Sequence, residues 1–342
     1  MSELATAVFA AHTDAHLLDA PRSSRFRSFC ATFDEPGFLR QLSARGYRWL
    51  ARSDPAFPER LRSIHDPPPG LFIRGSASVA LLDRVSVAVV GARACSHYGS
   101  SVAASLARDL TETRVLVVSG LARGIDGAAH RASLQTGTVA VLAGGHNRIY
   151  PPEHVELAGA ILAQGAALSE MPIDWEPRAH DFPRRNRLIS GLAVGVVVIE
   201  AARRSGSLIT TRLALEQGRE VFAVPGSPLD PRAEGCNGLL KQGATLVTEV
   251  EDVIAVLRPI LGQPLERSSL QEPEPIAPSP PAAEPGADER GRIVDLLGPT
   301  PVSIDELIRL AGRSPAAVRI VLLELEVAGR LQRHGGGLVS LV

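Results

Sequence analysis

Between Phe182 and Gly226 the chain sets three arginines, Arg184, Arg185 and Arg187, ahead of a small hydroxyl-rich turn, Ser205-Gly206-Ser207. Guanidinium groups are forked, always-charged donors that match phosphate oxygens. A serine–glycine turn at a helix start adds unpaired N–H groups and a positive dipole end, and it lets an anion come close. These residue types suggest phosphate recognition instead of bond making. Phe182, beside the arginines, is a candidate platform for a stacked base. The other use of such arginines is ion pairing, with Asp126, Asp181 and Glu200 as available acids.

Elements must hold these groups in place. Val194–Ile199 is apolar apart from Gly195, as suits a strand buried on both faces of a parallel sheet. Further strands are expected at Val85–Val90, Val115–Ser119, Val139–Leu142, Val221–Val224 and Thr245–Thr248. Helical stretches fall between them at Ser100–Leu110, Gly127–Thr136, His154–Gln164 and Leu208–Gln217. The alternation predicts an α/β fold: a doubly wound, Rossmann-like parallel sheet. Ligands of such sheets collect beyond the carboxyl ends of the strands. Those ends carry Gly91-Ala92-Arg93, Ser119-Gly120 with Arg123, Gly144-Gly145, the Ser205–Ser207 turn and Pro225-Gly226-Ser227. A rim of backbone donors and strand-end arginines suits a polyanion.

Several classes are excluded. GARACS follows Val90 where a dinucleotide fold needs GxGxxG, so no nicotinamide or flavin cofactor is expected. Lys241, in LLKQG, is the single lysine of the chain, which leaves no P-loop. Cys30, Cys95 and Cys236 lack metal or disulfide spacing, and the nine histidines show no HExxH, so no metal is expected. Asp126 and His130, four apart in GIDGAAH, have no nucleophile or metal to serve. Structural roles are expected for them, Asp126 bonding loop amides and His130 packing on a neighbouring loop. No catalytic residue is assigned. A net charge of −1 gives no global basic field, so any nucleic-acid partner must be held by a local patch. With neither a signal-peptide layout nor an apolar span of membrane length, the chain reads as a cytoplasmic protein with no membrane partner.

Composition divides the 342 residues into four regions. Residues 1–80 are polar with scattered aromatics and end in DPPPGLFIRG; residues 81–258 hold the alternating pattern. Residues 259–287 carry eight prolines and predict an extended linker without a core. Residues 288–342 resume helical periodicity. There Ser314-Pro315 caps a helix Ala316–Val327, and RLQRHGGGLVSLV reads as a hairpin, a winged-helix pattern.

An ordered series of motifs then resembles the DNA-processing protein A (DprA, or Smf) family. It comprises GARACSHYG, SGLARGIDGAAH, IYPPEH, LSEMP, FPRRNRLISGL, EAARRSGSLIT, GREVFAVPG and GCNGLLKQGA, over some 160 residues. GYRWLARSDPAFPERLRSIHDPPPGLFIRG resembles the family's lead-in. The resemblance implies a non-enzymatic homodimer that binds and protects single-stranded DNA and loads RecA recombinase during natural transformation. It implies a DNA pocket at Arg93, Ser119, Gly120, Arg123, Phe182, Arg184, Arg187 and Ser205–Ser207, with Lys241 as a further basic contact; Arg185 joins this set from the arginine cluster. The N-terminal region looks short and divergent for the family's SAM-like helical domain. The C-terminal block resembles its DML1-like winged helix, but the presumed recognition helix carries Arg319 against Glu324 and Glu326, a poor duplex reader. A second resemblance, to LOG-type nucleotide phosphoribohydrolases, rests on SGSLITTRLALE, with Glu216 in the acidic position.

Overall fold

The structure is a computed structural model that describes residues 2–13, 23–77, 79–261, 286–298, 301–334 and 338–341. Most of the proline-rich segment expected to be a linker, 262–285, lies outside the described residues. The chain divides into two compact units, Met1–Ser268 and Ser269–Val342.

In the larger unit α1 (Glu3–Thr13), α2 (Ser24–Thr32) and α3 (Glu35–Ala44) precede β1 (Arg48–Ala51), α4 (Glu59–Arg62) and β2 (Gly70–Arg74). The alternating part runs β3 (Ser86–Gly91), α5 (His97–Glu112), β4 (Leu116–Ser119), α6 (Ile125–Ala132), β5 (Thr138–Val141), α7 (Val155–Gln164), β6 (Ala166–Ser169) and α8 (Asp181–Leu192). It continues through β7 (Gly195–Ile199), α9 (Gly206–Glu216), β8 (Glu220–Ala223), α10 (Glu234–Lys241), β9 (Thr245–Leu246) and α11 (Val250–Leu261).

The described strands form a nine-stranded sheet, ordered β1-β2-β6-β5-β4-β3-β7-β8-β9. From β6 to β9 all neighbours are parallel, while β2 joins β6 and β1 joins β2 antiparallel. Alternate residues of one strand enter opposite cores: Ala88 and Val90 pack with Leu188, Ile189 and Ala214, whereas Val87 and Val89 pack with Leu106, Leu110 and Ala129. That is why the strands read as continuous apolar runs. The chain winds from β3 outward to β6, then returns to lay β7 against the other side of β3. The order therefore reverses between β3 and β7, and beyond their carboxyl ends the flanking loops part and leave a crevice.

The sequence left β1, β2 and β6 unread. β6 is Ala-Ala-Leu-Ser, short and weak in strand-forming residues. Residues 48–74 consequently extend the same sheet. The N-terminal helices rest on an aromatic cluster, with Phe9 against Phe26 at 5.2 Å and Phe29 stacked on Phe33 at 5.1 Å.

The smaller unit contains α12 (Ala287–Asp295), β10 (Val302–Ser303), α13 (Ile304–Ala311), α14 (Pro315–Val327), β11 (Leu331–His334) and β12 (Leu338–Leu341). As expected, Ser314 caps α14, accepting from the Ala317 N–H at 3.2 Å, and β11 pairs antiparallel with β12. With β10 added, this is a winged helix around Ile293, Leu307, Val318, Val321 and Leu322.

Candidate nucleic-acid interface

At the reversal between β3 and β7 lies a groove of about 780 Å³, and a side cavity of about 160 Å³ shares several of its lining residues. Its walls are the β3 loop with Arg93, the start of α8 with Phe182, and the Ser205–Ser207 start of α9. Arg123 and Tyr150 line the side cavity. The floor is small and apolar, with Ala122, Ile189 and Ile209. The groove thus joins residues 93, 123, 182, 185 and 205–207, which the sequence had separated by more than a hundred positions.

The groups facing solvent are positioned by what lies behind them. Arg93 is exposed, with its guanidinium carbon 5.5 Å from the centre of the Phe182 ring, which meets Tyr150 edge-on at 5.2 Å. Arg204 and Arg232 add charge along the opposite wall. Among the described residues neither Arg93 nor Arg204 has an acidic partner, whereas Arg232 pairs with Asp230 at 2.8 Å and Arg123 with Glu153 at 3.0 Å. Ser205 caps α9, its Oγ accepting from the Ser207 N–H at 3.3 Å. The β3 loop is tied down by Glu200, which follows β7 with φ of +52°. Its carboxylate accepts from the Ser96 N–H at 2.7 Å and from the Ser96 hydroxyl.

A second set of predicted residues faces inward. The arginines expected in strand-end loops stand on helix α8. Its inward stripe is Arg185, Leu188, Ile189 and Leu192, and a charged residue in an apolar register hid the helix. Arg185 is buried; it donates to the Gly120 carbonyl at 2.6 Å and to that of Val141, and its Nε has no hydrogen-bond partner among the described residues. Burial lowers its pKa to about 10, and neighbouring Asp126 works against that fall. Asp126 is pushed up by burial and restrained by Arg185 and by the Gly120 and Ala122 amides, which donate to it at 3.0 and 3.3 Å. That is the loop-bracing role expected of it. His130 bonds Thr138, the first residue of β5, at 3.0 Å, so a strand start takes the place of the expected loop.

Arg187 is buried with Glu170 at 2.5 Å and Asp66 at 3.3 Å, and Arg184 reaches the same Glu170 at 3.3 Å. Glu170 is therefore the acid of these two arginines. Of the acids available by sequence, Asp126 neighbours Arg185, while the other two are used elsewhere: Asp181 accepts from the Trp175 indole at 3.0 Å and the Arg178 N–H at 2.8 Å, and Glu200 serves Ser96.

Ser119 is 0% exposed and donates to the Val89 carbonyl at 2.6 Å. A Cβ on Gly120 would stand 2.6 Å from the Arg185 guanidinium, so this glycine admits the arginine. Other strand-end amides are likewise engaged, Gly145 with the Trp175 carbonyl at 2.9 Å and Gly226 with Asn237 at 3.2 Å. The expected row of free rim amides is thus largely consumed in joining loops. Lys241 lines a separate groove of about 610 Å³ between α9 and α10. Glu216 lies at the far end of α9, about 15 Å from Gly206 along the axis, pairs with Arg212 at 3.6 Å, and does not line the rim groove.

Sequence reasoning missed Tyr150, Asn186, Arg204 and Arg232. Arg204 adjoins the turn already singled out, and Tyr150 opens the YPPEH run; both carried a signal. Arg232 reaches the groove from the segment before α10, which nothing in the sequence ties to the β3 end. No described helix is long and apolar enough to cross a membrane.

Comparison with known proteins follows the same division. A family model described as DNA recombination-mediator protein A matches residues 48–258, and one described as DprA winged helix domain matches residues 277–337. The chain is 43% identical over 290 residues to the protein Smf of Escherichia coli K12, covering 83% of this chain and 75% of that protein. It is 42% identical over 224 residues to DNA processing protein DprA of Bacillus subtilis, covering 65% and 75%. Among solved structures it resembles DNA processing protein A of Streptococcus pneumoniae, with a TM-score of 0.64, 37% identity and coverage of 74% and 92%. The corresponding protein of Helicobacter pylori gives a TM-score of 0.57, 29% identity and coverage of 63% and 96%.

Proposed function

The chain belongs to the DNA recombination-mediator protein A family, and on that premise we propose that it binds single-stranded DNA along the groove between the β3 and β7 ends. The observation that carries this reading is the meeting of two cations that lack an acidic partner among the described residues, Arg93 and Arg204, with the open α9 start and the Phe182–Tyr150 edge. Successive phosphates lie along Arg93, Arg204 and the Ser205–Ser207 turn, and a base rests near Phe182. Arg185 serves as a buried donor at the floor. Arg123 joins by exchanging Glu153 for phosphate. Ser119, Gly120, Arg184 and Arg187 build the wall, and Lys241 is a separate contact to the backbone. The solved Helicobacter pylori relative is described as having a single-stranded DNA binding mode, which supports the same class of ligand.

We further propose, from family membership, that the chain acts without catalysis in the cytoplasm. In this role it dimerises through the larger unit, shields incoming strands and loads RecA in transformation. A strand-exchange assay on strands coated with single-strand-binding protein tests the loading step: RecA activity should rise with this protein present.

The groove is tested by anisotropy titration of a labelled oligothymidine across a salt series. Arg93→Glu/Arg204→Glu should bind at least about tenfold more weakly, and its dependence of log K on log salt should flatten by about 0.7 per lost phosphate contact. Full affinity in this double variant at moderate salt would refute the assignment.

A further inference from the structure

The smaller unit carries a surface that the groove reading does not use. Helix α14 turns Ala317, Val318, Val321, Leu322 and Leu325 into its own core. Its opposite face presents Ala316, Ile320, Leu323 and Val327, with Leu323 57% and Val327 82% exposed. Lone apolar residues on a surface need no explanation, but these four share one face at intervals of 4, 3 and 4. That is the seam of a coiled coil, with Ile320 and Val327 at the a positions and Ala316 and Leu323 at the d positions. β-Branched residues at a with leucine at d favour two parallel strands.

The flanks agree with that occupant. Arg319 falls at g and Glu324 at e, five residues apart, the offset at which a g residue meets the e residue of a parallel partner. Among the described residues Arg319 has no acidic partner, while Glu324 is held in place by Arg290 at 2.8 Å on the outer side of the seam. Glu326, at the other flank, is neutralised by Arg333 at 2.9 Å. The face is therefore complementary to itself in shape class, and Arg319, without an acidic partner among the described residues, falls at the position that meets the Arg290–Glu324 pair of a second copy. Duplex DNA would find one arginine among four apolar groups, too little for phosphate or base contact.

We infer that two copies of this chain pair through α14, side by side and parallel, with Ile320, Leu323 and Val327 in the seam and Arg319 facing Glu324 of the second copy. The helix spans 13 residues, about 20 Å, under two heptads, so the contact is weak and suits covalent capture.

The full chain carrying Leu323→Cys is oxidised with copper phenanthroline, and the linked peptides are identified by mass spectrometry. This separates the new bond from any made by Cys30, Cys95 or Cys236. Because the linked peptide is scored and not the mass, dimerisation through the larger unit cannot satisfy the test. The expected product joins residue 323 of one copy to residue 323 of the other, at least tenfold above the matched control Asp305→Cys on α13. Adding Arg319→Glu should cut that yield several-fold with circular dichroism unchanged. Yield no higher than the control overturns the proposal. In the double variant Ala316→Cys/Val327→Cys, a link from residue 316 of one copy to residue 327 of the other means antiparallel pairing and also overturns it, as does protection of residue 323 that appears only when oligonucleotide is added, which means a nucleic-acid face.

Discussion

Two sets of arginines stand at the groove or behind it, Arg187 outside its lining, and they differ in burial and in partners. Arg93 and Arg204 are exposed with no acid beside them among the described residues, whereas Arg185 and Arg187 are buried side chains of α8 and answer to Gly120, Val141, Glu170 and Asp66. The outer pair can exchange water for phosphate; of the inner pair, Arg187 cannot do so without abandoning Glu170 and Asp66, while Arg185 has its Nε left to offer among the described residues. Adjacency in a basic motif therefore says little about which charges meet a ligand. The difference is set by helix phase: α8 turns Arg185 toward the sheet along with Leu188, Ile189 and Leu192.

The sharpest way to break this comparison is Arg187→Ala. Arg187 and Glu170 are 8% and 4% exposed in their side chains, so truncation leaves Glu170 as a poorly compensated buried charge. Breaking such a pair costs about 3–5 kcal/mol. Chemical denaturation should show that loss, with no change in the oligonucleotide affinity of the folded fraction. A variant of normal stability that binds poorly would move Arg187 to the outer set. Arg93→Glu/Arg204→Glu is the mirror case, with weaker binding and stability within about 0.5 kcal/mol of the parent.

Acid separates the two layers as well. Burial drives His130 down to about 3, helped by the charges of His154 and Arg185, and it drives His146 down to about 4. The unfolded chain holds these protons near pH 6.5. Between that value and the folded values the unfolded state binds more protons, so stability is complete above about pH 6.5 and is lost as pH falls. Asp126, whose pKa is raised by burial, has the opposite sign and favours the folded state as acid is added. Urea midpoints measured from pH 7 to 5 should therefore decline. A His130→Gln variant should decline less steeply, by up to about 1.4 kcal/mol per pH unit for one proton. Equal slopes would mean that His130 is accessible to protons in the folded chain.

The parallel core was legible because strands buried on both faces leave continuous apolar runs, as in Val194–Ile199. The winged unit was legible from Ser314-Pro315 and the hairpin run. What stayed hidden lacked a local signal. β6 is alanine-rich, and β2 pairs with β6, a partner that sequence order does not suggest. At the candidate site the sequence offers residue types but not the direction in which each side chain points. Serine and glycine after a strand look like an anion cradle, yet Ser119 and Gly120 spend their donors inside the protein. Direction depends on partners such as Asp126 and Arg185, which meet only in the folded chain.

The smallest expected effect tests the one turn that stays open. A Cβ on Gly206, the first residue of α9, would meet no atom within 4 Å, unlike the one on Gly120, which would meet a guanidinium at 2.6 Å. Gly206→Ala at this helical position restricts the unfolded chain and should raise stability by about 0.4–1 kcal/mol. The added methyl nevertheless stands where a phosphate would approach the helix start, so oligothymidine affinity should fall a few-fold while stability rises. Two quantities moving in opposite directions cannot come from misfolding. If stability rises and affinity stays constant, the phosphates rest on Arg93 and Arg204 alone, and the α9 start only frames the groove.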